Sequence, residues 1–142
     1  MNETARKFGH PGSLLADLGK WAVLLRPAQV TLGSLVLLCK DDVQRFGDLS
    51  EGATADLLRA TSKLEQVLQG AFAYDKINYL MLMMVDPDVH FHVIPRYAAE
   101  RSYEGFRFGD DAWPGPPDVT SRLEVPETVH AALLADLKAR FA

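Results

Sequence analysis

Asp88, His90 and His92 stand at alternate positions in the segment from Asp88 to Tyr97, separated and followed by Val89, Phe91, Val93 and Ile94. Apolar, β-branched and aromatic residues in alternation read as a strand, in which residues two apart share a face. Two imidazoles and a carboxylate would then point the same way, within reach of one small ligand. An imidazole is a nucleophile, a proton carrier and a metal ligand near neutral pH, and a neighbouring carboxylate tunes all three roles. Two of the four histidines in the chain fall here. The plainer alternative is a pair of strand histidines satisfied by backbone groups, with Asp88 capping the bend after Asp86 and Pro87.

The elements that must hold this strand are legible on either side. Ser13–Asp17 and Trp21–Leu25 are short apolar segments forming a hairpin, the second ended by Arg26-Pro27. Ser34–Cys39 is a nearly continuous apolar run, as in a strand covered on both faces. Asp41–Phe46 has an acidic pair suited to the N-terminus of a short helix. The long helix is predicted from about Thr54 to Phe72, with Leu57, Leu58, Thr61, Leu64, Leu68 and Phe72 as its buried stripe. Lys76–Met84 is predicted as a strand, Val85–Pro87 as a turn, and the histidine strand follows.

Beyond Tyr97 the chain turns polar, and residues 98–125 are predicted to be an irregular arm. Proline at 114, 116 and 117 removes backbone donors there. A last helix is expected over 126–141, with Val129, Leu133, Leu137 and Phe141 along one side. The fold class is therefore α+β: an antiparallel sheet of about five strands, one long and one short helix packed on it, and a C-terminal helix. The chain is read as a single domain over residues 1–142, with its core in 13–97.

Composition narrows the partners. The chain is 48% hydrophobic and 24% charged, proportions that allow a packed core and argue against disorder. A formal net charge of −4 leaves no basic footprint for duplex nucleic acid. The longest apolar run, Leu80–Val85, is too short for a membrane span, and the N-terminus lacks a signal-like stretch, so a cytoplasmic location is expected. The one cysteine, Cys39, sits in an apolar run and reads as buried and inert. Met81, Met83 and Met84 read as core filling in preference to a soft-metal site. Trp21 and Trp113 read as packing residues, with stacking on a base as the sharper alternative.

Residues 13–97, and Asn78 to Tyr97 most closely, resemble the histidine triad (HIT) family, whose motif strand alternates three histidines with apolar residues and often continues into Pro-Arg. The resemblance implies a homodimer that hydrolyses or transfers nucleotides without a cofactor. It implies attack on the α-phosphorus by the middle histidine, His90, giving a nucleotidyl-imidazole that water cleaves. His92 would contact phosphate, and Arg96 either phosphate or solvent. Asp88 replaces the first motif histidine. Ser34 falls where an upstream histidine is often found, and Asn78 lies near the place of a phosphate-binding asparagine, which aligns with Leu82. Met84 replaces a glutamine. Ser34, Asn78 and Arg96 are thus the expected substrate contacts.

The aspartate bears on the chemistry. A carboxylate about 4 Å from a phosphate oxygen is repelled by roughly 4 kcal/mol at an effective dielectric of 20, on the order of a thousandfold in rate or affinity. Two roles stay open for Asp88: orienting a histidine, as carboxylates do in catalytic triads, or electrostatic tuning. Two other functions stay open as well. One is a metal site built from Asp88, His90 and His92, the donor set of a two-histidine, one-carboxylate centre. The other is a nucleotide-binding protein of this fold without turnover.

Overall fold

A computed structural model describes residues 1–142. After a short helix α1 (Glu3–Lys7) come β1 (Leu14–Leu18), β2 (Trp21–Leu25) and β3 (Leu35–Cys39), then the long helix α2 (Glu51–Phe72). β4 (Lys76–Leu80) and β5 (His90–Arg96) follow, then a small hairpin of β6 (Arg101–Tyr103) and β7 (Phe106–Phe108), and α3 (Glu127–Phe141). The first five strands form one antiparallel sheet in the order β1-β2-β3-β5-β4. No helix is long and apolar enough to cross a membrane.

The sheet is covered unequally on its two faces. Trp21, Val23 and Leu25 of β2, Leu35, Leu37 and Cys39 of β3, and Val93 of β5 pack beneath α2 and α3 in the main core. Trp21 also donates its indole N–H to the carbonyl of Ala53 at 2.8 Å. The opposite face carries Leu24, Val36 and Leu38, covered by Ala5 and Phe8 of the N-terminal segment with Leu14 packed beside them. Period-two alternation along β5 therefore assigns Val93 to the main core and leaves His90 and His92 on the thinly covered face. Full burial of one leucine in the main core, such as Leu64, contributes about 1.5–3 kcal/mol.

Several expectations are corrected. α2 begins at Glu51, because the Ser50 hydroxyl accepts the Ala53 N–H at 3.0 Å and caps the helix there. Its buried stripe includes Ala53, Ala60 and Val67, while Leu58 is exposed. The turn expected to be helical at Asp41–Phe46 is instead a single 3-10 turn at Phe46–Asp48. β4 ends at Leu80; the chain then leaves the sheet edge, and Met83 takes a left-handed φ of 48°. The arm contains the β6–β7 hairpin, whose Tyr103 and Phe108 pack onto the main core.

Candidate active site

β5 is fixed from both sides by register: His90 pairs with Leu38, and His92 with Val36 of β3 and Leu80 of β4. Their rings lie edge to face with centroids 5.1 Å apart. The Phe8 ring packs against both, at 5.7 Å from His90 and 5.6 Å from His92. Both histidines are buried. They line a cleft of about 420 Å³ together with Lys7, Phe8, Arg26, Met83, Asp86, and Val119 and Thr120 of the arm.

Asp88 stands just ahead of the strand, not within it. Val89 fixes this bend by donating its N–H to Val43 and accepting from the Cys39 N–H, both at 3.0 Å. The bend brings the Asp88 carbonyl oxygen 2.6 Å from Nδ1 of His90. A carbonyl only accepts, so Nδ1 carries the proton and the lone pair lies on Nε2. The Asp88 carboxylate accepts from Thr4 Oγ1 at 2.8 Å and from Gln44 Nε2 at 3.0 Å, and from neither histidine. Burial pushes its pKa up, but the hydrogen bonds from Gln44 and Thr4 outweigh burial and hold it below the usual carboxylate value.

His92 is in a different state. Its Nδ1 has no hydrogen-bond partner. Burial, followed by the proximity of His90 and Arg26, lowers its pKa to about 4, so the ring is neutral at pH 7. Lys7 and Asp86 form an ion pair at 2.8 Å on the cleft wall.

The three expected substrate contacts are not brought to this pair. Arg96 is buried, and its guanidinium holds Asp110 through Nε at 2.8 Å and Nη2 at 3.1 Å, and Asn78 Oδ1 through Nη1 at 2.8 Å. It is neither on the surface nor free for phosphate. Asn78 and Arg96 line a separate cavity of about 430 Å³ with Lys76 and Trp113. Ser34 is fully buried; its hydroxyl accepts from the Thr31 N–H at 3.0 Å and donates to the Thr31 carbonyl at 2.8 Å. Nor do Asp88, His90 and His92 converge as a ligand set. No three His, Cys, Asp or Glu side chains are grouped to hold a metal, because the Asp88 carboxylate is turned to Thr4 and Gln44.

Arg26 is the cleft residue that sequence reading missed. It directly follows β2, and its N–H donates to the Ser34 carbonyl at 3.0 Å, continuing the strand register onto the face of Leu24. Alternation through Ala22 and Leu24 carries the signal, and the neighbouring Pro27 obscures it.

An antiparallel α+β sheet presenting a buried histidine pair, one imidazole oriented by the main chain, defines the class. The HIT domain family model matches residues 18–99, more than half of the chain. The chain belongs to the HIT domain family. Solved structures agree on the fold. A histidine triad protein from Bradyrhizobium japonicum is 21% identical, with a TM-score of 0.76 over 100% of this chain and 97% of that one. One from Sinorhizobium meliloti 1021 is 24% identical, with a TM-score of 0.76 over 99% and 95%. A Zn-bound histidine triad family protein from Mycobacterium smegmatis is 15% identical, with a TM-score of 0.59 over 89% and 84%. No curated protein matches the chain.

Proposed function

We propose that this chain is a nucleotide hydrolase or transferase in which Nε2 of His90 attacks the α-phosphorus of a nucleotide conjugate, and that it is a family variant with Asp88 in place of the first motif histidine. The observation that carries the reading is the 2.6 Å contact between His90 Nδ1 and the Asp88 carbonyl. It directs the nucleophilic lone pair to Nε2 and stabilises the positive charge that builds on the ring as the P–N bond forms. The neutral His92, beside it in the same cleft, contacts a phosphate oxygen. Asp88 acts as a positioning residue through its main chain. Its carboxylate, engaged by Thr4 and Gln44, is not an unscreened charge facing the phosphate.

Phosphoryl chemistry of this kind proceeds in two displacements. His90 forms the nucleotidyl-imidazole as the bond to the leaving group breaks. Water, or another acceptor, then takes the nucleotidyl group and returns the lone pair to Nε2. A homodimer belongs to the same proposal and rests on the family resemblance; a cytoplasmic location belongs to it as well and rests on the sequence pattern of short apolar runs.

A second reading, nucleotide binding without turnover, is favoured by Asp88 standing where the motif has a histidine. Nucleotide release from adenosine and guanosine phosphoramidates and dinucleoside polyphosphates separates the two readings. Wild type and His90→Ala are compared, with and without chelator. Chelator-resistant release that disappears in His90→Ala supports the nucleophile. Binding without release selects the second reading, and release that chelator abolishes points to a metal.

A further inference from the structure

Between Phe108 and Glu127 the chain forms no helix or strand, yet Val119 and Thr120 of this arm line the histidine cleft. Their turn is shaped from within. The Asp118 carboxylate accepts from the N–H of Thr120 at 3.0 Å and from its hydroxyl at 2.6 Å, and the Asp118 carbonyl accepts from Ser121. Two hydrogen bonds dock the turn on the loop after β2. Nη2 of Arg26 donates to the Val119 carbonyl at 2.7 Å, and the Leu123 N–H donates to the Gln29 carbonyl at 2.9 Å. That loop is a firm base. Gln29, 1% exposed, donates to the carbonyls of Arg26 and Ser34 and accepts from the N–H groups of Gly33 and Ser34.

Arg26 is buried without a carboxylate partner, which is costly for a guanidinium. Its cation gives charge-assisted bonds, stronger than neutral ones, to carbonyls of two different segments: Ala28 of its own loop and Val119 of the arm. Burial, and then the nearness of Arg122 on the arm itself, lowers the Arg26 pKa, so like charges oppose the docking that the Val119 bond favours. The other walls of the cleft are held differently. Phe8 packs on both imidazoles, Thr4 bonds to Asp88, and the Lys7–Asp86 pair ties the β4–β5 loop to the N-terminal segment. A wall must nevertheless yield. His90 is 1% exposed and His92 7%, whereas attack needs phosphorus within about 3–3.5 Å of Nε2.

We infer that residues 117–123 are a strap across the histidine cleft and that Arg26 is the positioning residue that clasps it. The way to Nε2 of His90 opens when the Arg26–Val119 bond releases, and re-docking sets Val119 and Thr120 against what has entered. Pro116 and Pro117 stiffen one end of the strap, and Leu123, packed on the main core, anchors the other, which confines the motion to the turn between them. This inference deepens the proposed function and rests on it for the ligand; the covering of the imidazoles stands on the geometry alone.

The test labels the histidines of the full chain with diethyl pyrocarbonate, read peptide by peptide by mass spectrometry. Wild type, Arg26→Gln, Arg26→Lys and Asp118→Ala are compared, with and without adenosine monophosphate. Asp118→Ala loosens the exposed turn without removing a buried group, and amide exchange in β3 checks that each core is intact. Labelling of His90 and His92 should be about tenfold faster in Arg26→Gln, the equivalent of one charge-assisted bond lost, with lysine restoring part of the protection. It should also be faster in Asp118→Ala, and amides 119–123 should exchange faster in step. Adenosine monophosphate should slow the labelling in wild type. On its p-nitrophenyl ester, KM should rise about tenfold in Arg26→Gln while kcat stays within about threefold. Wild-type labelling rates in Arg26→Gln and Asp118→Ala, with β3 protection intact, would overturn the strap. A fall in kcat with KM unchanged would overturn the positioning role of Arg26. Should Arg26→Gln lose β3 protection, Asp118→Ala decides alone. Should wild type neither cleave the ester nor bind the nucleotide, the nucleotide reading falls on its own, and the labelling rates still decide the strap.

Discussion

The carbonyl oxygen of Asp88 accepts the Nδ1 proton of His90 at 2.6 Å, while the carboxylate of the same residue is held by Thr4 and Gln44. One residue thus performs two separable tasks: its main chain sets the imidazole tautomer, and its side chain ties the strand entrance to α1 and to the loop after β3.

Substitution of Asp88 should separate the tasks. Any side chain leaves the carbonyl in place, whereas loss of the carboxylate removes two hydrogen bonds to a charged acceptor, worth about 1.5–3 kcal/mol each and overlapping in effect. Asp88→Ala is expected to lower unfolding stability by about 2–3 kcal/mol while, under the proposed function, nucleotide release per folded molecule falls less than about tenfold. Urea denaturation and nucleotide release measured together check this. A collapse of kcat with stability intact would mean that the carboxylate itself acts on the reacting atoms. Because the folded-state pKa of Asp88 is depressed, its contribution is present above the unfolded value near 3.9 and is lost as the pH falls through the folded value.

His92 gives a pH dependence of a different kind. Its folded pKa of about 4 lies below the unfolded value near 6.5, so between those limits the unfolded chain binds a proton that the folded chain refuses. Stability should therefore rise with pH over that window, by about 3 kcal/mol at most, and level off above it. Denaturation midpoints of wild type and His92→Gln at pH 4.5 and pH 7 test it, since the variant should lose most of the slope. An NMR titration placing the His92 pKa near 6.5 would contradict the assignment.

Arg96 should behave as a structural residue. Removing one partner of a buried ion pair leaves the other uncompensated, at a cost of about 3–5 kcal/mol. Arg96→Ala or Asp110→Ala is expected to lower stability by that amount. Their kcat/KM, corrected for the folded fraction at low temperature, should stay within about threefold of wild type, because neither Arg96 nor Asp110 lines the cleft of the histidines. A selective loss of substrate affinity in Arg96→Ala would restore the phosphate role that the motif suggests.

Phe8 couples the N-terminal segment to the site, since its ring touches both imidazoles. Phe8→Ala should cost about 3 kcal/mol in stability and Phe8→Leu about half of that. Only the alanine variant should speed amide exchange in α1, because leucine still covers Leu24 and Val36. Equal exchange in all three proteins would show that Phe8 packing does not hold α1 in place.

The fold was legible where patterns were long or repeated. The apolar runs of β2 and β3 and the three- and four-residue steps of α2 are strong local signals, and the histidine alternation set the faces of β5. What escaped depends on distant partners. Met81 to Met84 read as strand, yet no neighbouring strand pairs with them, and the chain leaves the sheet after Leu80. α1, only five residues long, has its Asn2 cap accepting from Ala5, and it owes its place to Phe8 packing and the Thr4–Asp88 bond. In the site, His90 and His92 were legible because one strand carries both. Arg26 was not, because it reaches the cleft from another strand, and Arg96 misled because Asp110, fourteen positions away, claims it.

The central claim is nucleophilic attack by His90. Its most direct measurement is intact-mass and peptide mass spectrometry of the protein mixed with diadenosine triphosphate and quenched in alkali, where a phosphorus–imidazole bond survives. The account predicts an added nucleoside monophosphate group on the peptide carrying His90, absent in His90→Ala and in an incubation without substrate. Turnover with no adduct on that peptide at any quench time, or an adduct that persists in His90→Ala, would contradict it.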